Sequence, residues 1–280
     1  MIYMPTTTTN SNRLSLRPAT SADREPIVVW CNTLWNGQPD YLGDVWDYWL
    51  PQGHLYVGEI AGWQEPVVVL RLRVLSPTQA WFGGLRIHPE LQGQGLGREL
   101  VEYAIAWAKS WGAHTIGYMT ERSNHRMHSM AEKLNFANVG FIEWYGLNDL
   151  AAAPANVVAD ASLIDLSQAQ NLHDHGGRYV YQWTVRNLDQ AELERRTASQ
   201  ELYVLSDRSG WMICQPDGFI AHIEGDATAQ ATLLAHARTL PECQELLTPM
   251  WRGSRQAQLI AQLNWHDTNE AYSLFELDLR

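Results

Sequence analysis

The chain has 280 residues but only three cysteines, Cys31, Cys214 and Cys243, odd in number and far apart. That spacing argues against a disulfide-built scaffold, and a reducing cytoplasm is the expected setting. No apolar run is long enough to span a membrane. The opening MIYMPTTTTNSN lacks a basic region followed by a long apolar stretch, so no signal peptide is expected, and residues 1–12 read as a disordered tail. Basic excess is missing too. Lys and Arg number 20 against 31 Asp and Glu, a formal charge of −11. Neither half is basic: 11 bases face 14 acids in residues 1–150, and 9 face 17 in 151–280. No nucleic-acid partner is expected from that balance.

What is present is an ordinary globular composition, 45% hydrophobic and 18% charged, with 13 Trp. LSLRPATSADREPIVVWCNTLW reads as strand, turn and capped helix, with Thr20 or Ser21 as the cap. Cys31 lies in its apolar part and reads as core packing. NGQPDYLGDVWDYWL reads as loop and then an aromatic stretch. HLYVGEIAG, PVVVLRLRVLS and AWFGGLRIH read as three successive strands. GRELVEYAIAWAKSWGA has apolar residues at helical spacing and ends at Gly112. HTIGYMTE reads as a strand, NHRMHSMAEKLN as a helix and ANVGFIEWYGLNDL as extended. This order predicts an α+β fold, or an α/β mixed sheet. AAAPANVVADASL then reads as a linker, after which the order restarts. YQWTVRNLDQAELERR echoes the opening strand and acidic helix. ELYVLSD, GWMICQ and GFIAHIEG read as strands, DATAQATLLAHARTL as a helix, ECQELLTPMW as extended, SRQAQLIAQLNW as a helix and AYSLFELDL as a strand. The restart suggests a diverged internal duplication, against two unrelated α+β halves.

Between the third of the successive strands and the following helix stands HPELQGQGLGREL, residues 88–100. A glycine-rich turn at a helix N-terminus favours phosphate, because free N–H groups and the helix dipole both attract an anion. No Lys follows the glycines, which argues against a nucleotide-hydrolysing loop. Gly93, Gly95 and Gly97 give GxGxG, and Glu121 ends the next strand, so a nicotinamide-dinucleotide reading stays open. In the second half HIEGDATAQA stands in the corresponding place and has no such loop.

Gln92, Gly95 and Gly97 also fit Q/R-x-x-G-x-G/A. That pattern, with LRPATSAD, AWFGGLRIHPE and NHRMHSMAEKLNF in order, resembles the GNAT superfamily of acyl-CoA N-acyltransferases over Leu14 to about Leu150. The second half resembles the fold in element order alone, and tandem members of the superfamily exist. The resemblance implies two GNAT-like domains, each a mixed, mostly antiparallel twisted sheet flanked by helices. Residues 13–150 would be the catalytic domain, 151–178 a linker and 179–280 a degenerate copy. It implies acetyl-CoA as co-substrate and acetyl transfer to a primary amine by direct attack in a ternary complex. The alternative is a non-catalytic acyl-CoA-binding or scaffold protein.

The same resemblance implies the site. The loop Gln92, Gly93, Gln94, Gly95, Leu96, Gly97 and Arg98 would hold the pyrophosphate, with glycines letting the backbone approach. Leu85, Arg86 and Ile87 would pair with the pantetheine arm, the Ile87 N–H serving the oxyanion. Gly83-Gly84 marks either a bulge or a tight turn. Asn124 would cap the later helix or touch the arm. The position where the superfamily carries a proton-donating Tyr is Ala131, and Asn135 replaces the usual Gly. His128, one turn before Ala131, is a candidate acid, with Ser129 and Tyr118 behind it. Glu59 and Glu121 are candidate bases. His88 reads as a strand-ending residue. The stretch after the first helix would line the acceptor pocket, through Trp35, Tyr41, Trp46 and Asp44. Aromatic faces among carboxylates suit a cationic amine, unless the rings pack against the second half. HDHGG at 173–177 lacks further ligands at regular spacing, so no metal is expected. The expected partner is a small-molecule or peptide amine. The chain is expected as a monomer with pseudo-dimeric domains or as a homodimer, without membrane or nucleic-acid contacts.

Overall fold

The apolar runs become strands in the computed structural model, which describes residues 14–35, 38–147, 149–256 and 265–280. In chain order the first elements are β1 (Leu14–Pro18), α1 (Arg24–Cys31), α2 (Leu42–Trp49), β2 (Leu55–Ile60), β3 (Val68–Ser76), β4 (Gln79–Ile87), α3 (Leu96–Ser110), β5 (Thr115–Glu121) and α4 (His125–Lys133). Then follow β6 (Ala137–Leu147), β7 (Val157–Val158), α5 (Gln170–His173), β8 (Arg178–Tyr181), β9 (Thr184–Asn187), α6 (Gln190–Ala198), β10 (Leu202–Leu205), β11 (Gly210–Cys214), β12 (Ile220–Gly225), α7 (Ala227–Ala237), β13 (Leu246–Trp251) and β14 (His266–Asp278). Most of the segment expected as SRQAQLIAQLNW lies outside the described residues. So does the expected tail.

The chain divides into two compact units. One holds Met1–Tyr118, His128–Ala137 and Glu276–Arg280; the other holds Met119–Met127 and Asn138–Phe275. In the first unit β1, β2, β3 and β4 pair antiparallel in chain order, and β5 joins β4 in parallel. The last residues of the chain belong here as well, where the Leu279 N–H donates to the His114 C=O at 2.8 Å. Helix α3 buries Leu96, Leu100, Val101, Ala104, Trp107 and Ala108, one stripe at helical spacing.

The stretch read as loop and then aromatic contains α2, which corrects that reading. Leu42 and Trp46, one turn apart, are buried beside Ile27, Trp30 and Cys31 of α1 and Leu55, Val57 and Val69 of the sheet. Each fully buried apolar side chain of this size contributes about 1.5–3 kcal/mol. The Asp40 carboxylate starts the helix by accepting from the Leu42 N–H at 2.8 Å, which satisfies one of its orphan donors.

The second unit contains the antiparallel sheet β12-β11-β10-β7, the hairpin β8-β9 and the pair β6-β13. Helix α7 supplies Ala229, Leu233, Leu234 and Ala237 to a core shared with Met212, Ile220 and Ile223. YQWTVR, expected as an extended run ending in an Arg, folds back on itself. Gln182 and Trp183, at φ 46° and 61°, form the turn between β8 and β9.

One helix end generates a test. Asn135 has φ 59°, and the Phe136 N–H donates to the Ala131 C=O at 2.9 Å, closing α4 with a left-handed residue. Asn tolerates this conformation better than other residues with a Cβ, though less well than Gly. We expect Asn135→Ala to cost about 1 kcal/mol in urea unfolding and Asn135→Gly to cost nothing measurable.

Candidate functional site

Strands β4 and β5 pair over Gln79↔Thr115, Ala80↔Ile116 and Trp81↔Gly117, and no further pair forms among the described residues. Strand β4 nevertheless runs on to Ile87. Its register with β3 jumps from Arg71↔Gly83 to Val69↔Arg86, skipping one residue of β3 and two of β4. That is a bulge, and bulges bend the strand that carries the extra residue. Gly84 sits in it at φ 60°. A Cβ there would stand 2.9 Å from the Trp49 ring. Both the conformation and the packed ring therefore demand glycine. Of the two readings of Gly83-Gly84, the bulge is the one found.

The bend leaves an edge of main chain open. The His88 N–H donates to the Val67 C=O at 2.8 Å, in the same register as Val69↔Arg86. Successive residues of a strand present N–H and C=O to opposite edges. The Arg86 amide thus faces β3, while those of Leu85 and Ile87 face the open edge. The Ile87 C=O accepts there from the Gln92 side-chain amide at 3.2 Å. Of the three residues expected to pair with an extended arm, two offer main chain to that edge.

The loop follows directly. His88 accepts from the Glu90 N–H at 3.4 Å, and its ring meets Trp30 and Trp63 edge-on at 5.6 and 4.8 Å. Leu91 and Leu96 are buried and pin the two ends. Gly93 and Gly95 take φ 76° and 90°, where side chains with a Cβ are strained. The Arg98 N–H donates back to the Gly95 C=O at 3.0 Å. The N–H groups of Gly93, Gly95, Leu96 and Gly97 have no acceptor among the described residues. Four donors at the start of a 15-residue helix form a concentrated anion site.

The expected catalytic side chains are more scattered in role. The Glu59 carboxylate on β2 is exposed and held by the Arg17 Nε at 2.7 Å. Arg17 also grips Asp23, whose own pKa is lowered to about 2, chiefly by that hydrogen bond. Glu121 closes β5, exposed, and accepts from the Ser123 hydroxyl at 3.2 Å. His128 is half-buried on α4, and Ala131 is buried. Tyr118 is buried with its ring centroid 4.7 Å from Phe82 and 5.3 Å from Phe136, and desolvation raises its pKa. Asn124 acts as a cap: its Oδ1 accepts from the Met127 N–H at 3.3 Å and its Nδ2 donates to the Thr120 hydroxyl at 3.0 Å.

On the expected acceptor side, Trp46 is fully buried in the core, so its ring is not open to a ligand. Trp35 and Tyr41 are about half exposed, and Asp44 is exposed. Sequence reasoning missed the group that organises them. The Asp40 carboxylate, with no exposed side-chain surface, accepts from the Arg86 Nε at 2.7 Å, the Trp35 Nε1 at 2.6 Å and the Leu42 N–H. Burial pushes this carboxyl up, but Arg86 and the other donors outweigh it and the pKa is lowered. The Arg86 carbon lies 5.3 Å from the Trp35 ring centroid and 5.1 Å from that of Tyr41. Asp40 was visible as one acid among several, but nothing in the sequence pairs it with a residue 46 positions away.

In the second unit a single residue, Asp226, joins β12 to α7, and its carboxylate accepts from the Ala229 N–H at 2.9 Å. A side chain caps this helix where the first unit leaves N–H groups open. In HDHGG, His175 is buried and stacked on Trp251 at 5.2 Å, and burial lowers its pKa to about 4. No cluster of metal-ligating side chains occurs among the described residues.

Residues 23–136 match the model of the acetyltransferase (GNAT) family. A search of curated proteins finds no match. Among solved structures, the chain is similar to a GCN5-related N-acetyltransferase from Sphaerobacter thermophilus, 17% identical, with a TM-score of 0.68 over 97% of this chain and 98% of that one. It is similar to a GCN5-related N-acetyltransferase from Kribbella flavida, 13% identical, with a TM-score of 0.53 over 95% and 72%. A tandem GNAT protein from the clavulanic acid biosynthesis pathway is 14% identical, with a TM-score of 0.59 over 95% and 99%. The fold is thus the α+β GNAT fold in tandem arrangement. No helix among the described residues is long and apolar enough to cross a membrane.

The bulge yields a double-mutant test. Gly84→Ala should cost more than about 2 kcal/mol, since it combines left-handed strain with a clash on Trp49. In a Trp49→Ala background the same change should cost at least about 1 kcal/mol less, measured by denaturant unfolding of all four proteins.

Proposed function

We propose that the chain, whose residues 23–136 match the acetyltransferase (GNAT) family model, transfers an acetyl group from acetyl-CoA to a primary amine. Attack is direct, with both substrates bound. One observation carries this reading. A single strand-loop-helix unit combines an open β4 edge with four helix-start N–H groups that have no acceptor among the described residues. The first suits an extended amide-bearing arm, and the second suits a pyrophosphate. Leu85 and Ile87 would hold the arm by main chain. Gly93, Gly95, Leu96 and Gly97 would surround the phosphates, with Gln92 bracing Ile87 and Arg98 closing the first turn. The Ile87 N–H, on the open edge, would stabilise the oxyanion formed at the thioester carbonyl.

Proton movement rests on fewer groups. The attacking amine must lose a proton. Of the two candidate carboxylates, Glu59 would first have to leave Arg17 to take that proton. His128 on α4 is the proposed proton source for the departing thiolate. A buried alanine at 131 favours a second reading, in which the chain binds acyl-CoA without catalysis. The second unit, whose helix α7 is capped by Asp226, would bind no CoA.

Thiol release from acetyl-CoA across a panel of primary amines separates the readings. We expect amine-dependent release that falls at least about tenfold in His128→Gln. Tight CoA binding with no release for any amine would favour the non-catalytic reading.

A further inference from the structure

The amine side carries its own chemical signature, and it differs from the one composition suggested. Acids among aromatic rings pointed to a cationic subsite. The structure consumes the central acid. Both Asp40 oxygens are engaged, one by the Leu42 N–H and the other by Trp35 and Arg86. Asp47 is drawn toward Arg24 at 3.8 Å. What reaches the surface is the other end of the buried pair: the Asp40 side chain is 0% exposed and that of Arg86 is 13% exposed.

The position of Arg86 ties this cation to the reaction. It precedes Ile87 on β4, and its Nη1 donates to the Leu85 C=O at 3.1 Å. Both neighbours present main chain to the open edge. The guanidinium carbon lies within 5.3 Å of the Trp35 ring centroid and 5.1 Å of that of Tyr41, both rings half-exposed. With Nε held by a buried carboxylate and Nη1 by the Leu85 C=O, the plane of the guanidinium is fixed and its remaining N–H groups are preorganised to receive a carboxylate. Nothing in the bulk charge does this work, because the chain as a whole is acidic.

We propose that Arg86 is a specificity-determining residue that binds an anionic group, of the carboxylate class, carried by the amine acceptor. The acceptor is then an amino-acid-like molecule rather than a simple cationic amine. This rests on the transfer reading above. Asp40 is the positioning residue: it fixes the guanidinium and joins the acceptor stretch to β4.

The test compares initial rates of the full chain on matched acceptors, α-amino acids against the amines obtained by removing their carboxylate. Wild type should favour the amino acids by about tenfold or more in kcat/KM. The double variant Asp40→Asn with Arg86→Gln removes the charge without stranding a buried carboxylate. It should narrow the preference to within about threefold through KM of the acceptor, with KM of acetyl-CoA unchanged. Equal or better use of the decarboxylated amines by wild type overturns the proposal, and so does a preference that survives in the double variant. A selective rise in KM of acetyl-CoA also overturns it, by assigning Arg86 to the phosphates. The wild-type comparison decides the matter even if the double variant does not fold. Absence of thiol release with every acceptor, CoA binding being intact, overturns the transfer reading itself and this inference with it.

Discussion

Two parallel strands that stop pairing after Trp81 and Gly117 set the terms for the rest of the first unit. A strand edge without a partner strand is a liability, open to chance pairing. Strand β4 holds that state because its shape is fixed from the other side. Strand β3 pairs with it before and after the bulge, and the Trp49 ring occupies the space a side chain at Gly84 would need. The opening is thus built from core packing rather than from loop flexibility. The glycine loop sits at the far end of the same strand, so the open edge and the run of helix-start N–H groups share one support. The register of β4 fixes which residues serve which partner: Arg86 turns its amide to β3, and Leu85 and Ile87 turn theirs outward.

The buried ion pair adds a second constraint. Taking a carboxylate fully out of water is costly unless its lone pairs are filled. Asp40 meets that condition with an arginine, an indole and a helix-start amide. Each comes from a different place in the chain, so the acceptor stretch, the start of α2 and β4 are held as one piece. A segment rich in loop-type residues thereby gains a fixed geometry beside β4.

Much of this frame was legible in the sequence, for physical reasons. The stripe from Leu96 to Ala108 is long and regular, and the three strands before it are short apolar runs rich in β-branched and aromatic residues, so composition and spacing sufficed. The glycine loop was legible because left-handed backbone at Gly93 and Gly95 restricts the choice of residue. Helix α2 was hidden, because Gly43 and a mix of aromatics and acids carry little helix propensity. Its helicity comes from packing Leu42 and Trp46 on α1 and from the Asp40 cap. The β8–β9 turn was hidden too, because Gln182 and Trp183 stand where Asn-Gly would announce it. In the site, main-chain roles followed from the strand's position, whereas the Asp40–Arg86 pair is a long-range contact that no local pattern encodes. The missing loop in the second half had a structural counterpart that the sequence only hinted at, a helix capped by the carboxylate of Asp226.

The central claim is that the first unit alone holds coenzyme A, on the open edge and the glycine loop. Titration calorimetry of the full chain with acetyl-CoA tests it most directly, with NADH as the competing ligand. The account predicts one acetyl-CoA bound per chain and no heat from NADH. Two sites per chain, no binding, or binding of NADH in place of acetyl-CoA would contradict it.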